Sequence, residues 1–70
     1  MISHEEFKAL CREDVITQRE HKAEMREYWR YFLGEVVNGN ISEEFFSETI
    51  HGIAFDAWVI YDMLTVQRER

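Results

Sequence analysis

The stretch Ile53-Ala54-Phe55-Asp56-Ala57-Trp58-Val59-Ile60-Tyr61-Asp62-Met63-Leu64-Thr65-Val66 decides the fold, because read as a helix it is apolar on nearly every side. Only Asp56, Asp62 and Thr65 interrupt it. Phe46, Ile50, Ile53, Ala57, Ile60, Leu64 and Gln67 recur in steps of four and three, the seam of an antiparallel helix pair. A second apolar set, Phe45, Phe55, Val59, Met63 and Val66, lies on a different side, and two seams call for two neighbours. Val59, Ile60, Tyr61, Thr65 and Val66 also favour sheet, but no other stretch offers a strand for them to pair with.

Working outward, Ile41-Ser42-Glu43-Glu44-Phe45-Phe46 reads as the start of this helix, with Ser42 as cap and Ile41 and Phe46 at the spacing of a hydrophobic staple. Asn38-Gly39-Asn40 before it is a stop, since Gly39 can take the left-handed conformation that ends a helix. The same start signal occurs at Ile2-Ser3-His4-Glu5-Glu6-Phe7, where Ser3 and Glu6 have capping-box spacing. The spacing predicts one domain over residues 1–70, with a helix over about 3–37, a turn at 38–41 and a helix over about 42–68. The chain has no Pro to interrupt either arm.

At about 100° per residue, residues 3–37 resolve into three stripes: one of Lys and Arg, one of Glu, and an apolar one of Phe7, Leu10, Cys11, Met25, Tyr28, Trp29, Phe32 and Val36. Their common phase favours a continuous helix. Thr17 and Glu20 also have capping-box spacing, so a break at Asp14 to Thr17 stays open. Asp14, Gln18 and His21 leave a polar gap in the apolar stripe. A register-setting polar layer, a ligand or ion site, and a face left open all account for it.

Folding back at Gly39 sets Leu33 opposite Phe46, Trp29 opposite Ile50 and Met25 opposite Ala54, with His21, Gln18 and Asp14 level with Trp58, Tyr61 and Thr65. The expected fold is therefore all-α, a long antiparallel helical hairpin that dimerises into a four-helix bundle. The second apolar side (Phe45, Phe55, Val59, Met63, Val66) is the expected dimer or partner interface. A chain of 70 residues sits near the lower size limit for an independent core, which also favours a second subunit.

Net charge is −6, and residues 31–67 contain acids but no Lys or Arg. That half repels nucleic acid and attracts basic surfaces, so Glu43, Glu44 and Glu48 are the candidate contacts to a basic protein partner. The basic stripe of the first arm could track phosphates, but Glu stripes flank it and the overall charge argues against nucleic acid. No apolar run is long enough to span a membrane and the first residues do not read as a secretory signal. A single Cys11 excludes an internal disulfide and suits a reduced, cytoplasmic chain.

Chemistry has few footholds. Glu48-x-x-His51 has the spacing of a helix-borne metal pair, and a metal-binding bundle using Glu48 and His51 is one alternative. Cys11 lacks a base nearby in sequence, and no Gly-rich loop could cradle phosphate. No enzyme activity, cofactor or metal is expected. If a ligand site exists, the polar cluster Asp14, Gln18, His21, Tyr61 and Asp62 is the place for it. In size and composition the chain resembles small acidic proteins of phages and mobile elements, including anti-CRISPR and other anti-defence inhibitors, although no motif ties it to one family. The expected function is that of a non-catalytic protein-binding inhibitor or regulator of a larger macromolecular machine. An antitoxin or an adaptor subunit of a bacterial complex would look the same.

Overall fold

The structure, a computed structural model, describes residues 1–53 and 55–69. Ala54 and Arg70, and with Ala54 its expected contact to Met25, lie outside the described residues. The fold is all-α, with five helices among the described residues: α1 (His4–Cys11), α2 (Val15–Glu20), α3 (Lys22–Val37), α4 (Glu43–Ile50) and α5 (Ala57–Glu69). Among the described residues there is no strand, so Trp58 to Val66 is helical despite its β-branched content.

The start signals act as the sequence implies. Ser3 Oγ accepts from the Glu6 N–H at 3.1 Å while the Glu6 carboxylate accepts from the Ser3 N–H, closing the capping box of α1. Ser42 Oγ accepts from the Phe45 N–H and opens α4. Gly39, at φ 80°, lets the Asn40 and Ile41 N–H groups fold back onto the Glu35 carbonyl and end α3.

The two long arms are each broken. In place of a continuous helix over about 3–37, α1 stops at Cys11 and Asp14 caps α2, its Oδ1 accepting from the Thr17 N–H at 2.8 Å. That bond holds the Asp14 carboxyl below its ordinary value. Gln18, buried, donates to the carbonyls of Cys11 and Glu13 and so satisfies acceptors that the end of α1 leaves over. His21 closes α2 and leads into α3. The polar gap is thus a pair of helix junctions.

The second arm, expected over about 42–68, is split into α4, which ends at Ile50, and α5, which begins at Ala57. His51 leaves helical geometry (φ −65°, ψ 128°) and Gly52 turns the chain at φ 75°. Asp56 then accepts from the Ala57 N–H at 2.7 Å and launches α5. Up to this break α4 packs on α3 with Phe46 stacked near Trp29 and Phe32; its start shares a groove with Val36 and Val37 and its end one with Cys11 and Gln18, so it runs antiparallel to α3. Beyond it the direction reverses. Asp56 meets Arg19 at one end of α5, Asp62 meets Arg26 along it, and Gln67 lies beside Val36 and Val37 at the other end, so α5 runs the same way as α3. Tyr61 and Thr65 accordingly do not face Gln18 and Asp14: Tyr61 is exposed, and Thr65 Oγ1 donates to the Tyr61 carbonyl.

The core is built around α3, whose Met25, Tyr28, Trp29, Phe32 and Leu33 are all buried. Phe7 of α1 stacks on Trp29 with centroids 5.4 Å apart. His4 lies against Phe32 and Phe45 and hydrogen-bonds Tyr28 Oη through Nδ1. Burial, reinforced by Tyr31 and Glu5, raises the Tyr28 phenol above its ordinary value. From α5, the Val59 carbonyl accepts from Trp29 Nε1 at 3.2 Å.

Candidate interaction surface

Helix α5 has an inner and an outer face, and the structure exchanges the roles the periodicity suggested for them. Val59 is 1 % exposed, and Phe55, Met63 and Val66 are half-buried against the core. The side expected to meet a partner therefore lines this chain's own interior. Ile60 and Leu64, from the expected hairpin seam, are 48 % and 53 % exposed, and Tyr61 beside them is 62 % exposed. The reversal at Gly52 is the physical reason, because it presents α5 to α3 from a new direction. Phe45, also assigned to the association side, sits on α4 partly exposed with its ring 5.1 Å from His4.

Asp62 was expected beside Asp14, Gln18, His21 and Tyr61. It is instead fully buried on the inner face of α5, where Arg26 holds it: Nε donates to Oδ1 and Oδ2 at 3.1 and 3.0 Å, and the second guanidinium nitrogen lies 2.9 Å from Oδ1. The other four do separate jobs. Asp14 is a cap, Gln18 bridges a junction, His21 links two helices with Nδ1 buried and without a hydrogen bond among the described residues, and Tyr61 faces solvent. Arg26 was not singled out as a functional residue. The clue to it is an acid set between Val59 and Met63 on an apolar face, which requires a cation from elsewhere.

A groove of about 630 Å³ runs between the α1–α2 junction and the end of α4. Lys8, Arg12, Glu13, Glu48 and His51 line it, with Cys11, Gln18 and Thr49 buried at its base. Since α4 ends at Ile50, Glu48 and His51 lack the one-helix geometry that a Glu-x-x-His metal pair uses. Among the described residues no three His, Cys, Asp or Glu side chains gather as a metal site.

Burial pushes the Cys11 thiol up to about 11, against a smaller opposing pull from Arg12. At pH 8 the folded chain then holds about 100-fold less thiolate than a group with the ordinary value of 9.0. Iodoacetamide at that pH is expected to alkylate the native protein about 100-fold more slowly than the urea-unfolded one, read by mass spectrometry. Equal rates would show the thiol to be accessible and ionised. The sign for stability follows: burial of the neutral thiol stabilises the fold below pH 9, and that contribution is lost as pH rises toward 11.

The acids fare differently from the apolar set. Glu43, Glu44 and Glu48 are all exposed on α4, and among the described residues none of them forms an ion pair. Among the described residues no helix is long and apolar enough to cross a membrane. No protein-family model, curated protein or solved structure matches this chain.

Proposed function

We propose that this chain is a non-catalytic inhibitor or regulator that works by protein contact, using the acids of α4 to dock on a basic surface of a larger macromolecular machine. The observation that supports this reading is the exposure of Glu43, Glu44 and Glu48 on one short helix, with no cation engaged among the described residues. Glu44 and Glu48 are four residues apart and share a face, so a single flat basic patch can meet both. Like other small acidic proteins of mobile elements, it would place carboxylates where its target expects phosphates. A homodimer in a cytoplasmic setting, where the single thiol stays reduced, completes the proposal. Antitoxin and adaptor roles use the same surface and differ only in the partner.

The test is affinity capture from native cells, identification of what is retained by mass spectrometry, and titration of that purified partner at two salt concentrations. Binding is expected to weaken with salt. The double substitution Glu44→Lys/Glu48→Lys should reduce affinity at least tenfold while the circular dichroism spectrum is unchanged. Salt-independent binding, or a variant that binds as tightly as the parent, would overturn the acidic docking surface.

A further inference from the structure

We infer that the outer face of α5 binds the same face of a second copy, with the two helices antiparallel across a twofold axis near Tyr61 and Leu64. This deepens the proposal that the protein acts through protein contact, by naming one partner and the surface it takes. Ala57, Ile60, Tyr61, Leu64, Gln67 and Arg68 are all exposed, at the three- and four-residue spacing of a helix–helix seam. The apolar members stand in the middle, with a small residue at one end and polar residues at the other, so a reversed copy meets bulk with bulk.

Charge selects the second copy and its direction. At the start of α5 stands Arg19, bonded to Asp56 yet with its side chain 67 % exposed. At the far end Glu43, exposed, borders the same small groove as Gln67. Antiparallel pairing brings Arg19 of each copy toward Glu43 of the other. It also sets the positive end of each helix against the negative end of its neighbour. Parallel pairing would oppose Arg19 to Arg19 and Glu43 to Glu43. The six outer side chains offer on the order of 500 Å² per copy, short of the roughly 800 Å² per partner of a standard interface, so the dimer is expected to be weak and concentration-dependent.

Sedimentation velocity from low micromolar to several hundred micromolar is expected to show monomer giving way to dimer for the parent chain. Leu64→Glu should remain monomeric throughout, as should Tyr61→Lys, both with native circular dichroism since neither side chain is part of the core. Direction is read by mixing an Ala57→Cys variant with an Arg68→Cys variant and adding a short bismaleimide; buried Cys11 stays silent. Cross-links between the two variants are expected, and Ala57→Cys alone should give few. A parent that is monomeric at every concentration, variants that dimerise like the parent, or cross-links only between like positions would each overturn the inference. A monomer result would leave the Glu44→Lys/Glu48→Lys titration standing, so the two failures are distinct.

Discussion

Replacing Arg26 with Met is expected to cost about 3–5 kcal/mol, because it leaves the fully buried Asp62 carboxylate without the guanidinium that pairs with it. A domain of this length has about 4–10 kcal/mol of stability at the usual 0.05–0.15 kcal/mol per residue, so the variant should be largely unfolded or close to it. Urea unfolding followed by far-ultraviolet circular dichroism measures the loss. Met keeps most of the aliphatic stem of Arg26, so the substitution removes little packing and the effect reports on Asp62. The double variant Arg26→Met/Asp62→Leu removes both charges and should recover most of the stability. A loss below about 1 kcal/mol for Arg26→Met would mean that the carboxylate is solvated and the pair is of the ordinary surface kind.

Trp29→Ala is expected to be equally damaging, at about 3–5 kcal/mol from lost burial and the cavity left behind. Trp29 is 0 % exposed and touches three other helices: Phe7 of α1, Phe46 of α4 and the Val59 carbonyl of α5 through Nε1, besides Phe32 of its own helix and Phe55 before α5. Trp29→Phe separates packing from hydrogen bonding. It keeps a ring in place, removes the donor to Val59, and should cost about 1–3 kcal/mol. Thermal unfolding of the two variants side by side gives the comparison. If both melt within a few degrees of the parent, α3 is not the hub of the core.

What could be read in advance follows from which signals are local. Ser3, Ser42 and Gly39 act on groups within a few residues, and the sequence places all three correctly. The apolar stripe of residues 3–37 keeps its phase across the break because α1 and α3 bury their apolar faces in the same core, so continuity of pattern does not imply continuity of helix. Asp14 as the cap of α2 is legible only if its turn-forming side chain is weighed against that phase. At residues 51–56 the seam spacing also carries through, and Gly52 alone marks the reversal.

The candidate surfaces divide along the same line. The exposure of Glu43, Glu44 and Glu48 follows from charge and the first turn of a helix, which are local properties. Which side of α5 faces inward depends on the direction from which it arrives, and on an ion pair between Arg26 and Asp62 that no short window contains. Periodicity shows that α5 has two apolar sides. It cannot say which one the chain keeps for itself.

The shared direction of α3 and α5 bears on how the protein is made. During synthesis α1 to α4 emerge first and can assemble, yet one flank of Trp29 stays bare and Arg26 waits for its counter-ion until the fifth helix leaves the ribosome. Until α5 is made the nascent protein thus carries an open, sticky aromatic surface, which is closed by a segment distant in sequence rather than by a neighbour along the chain.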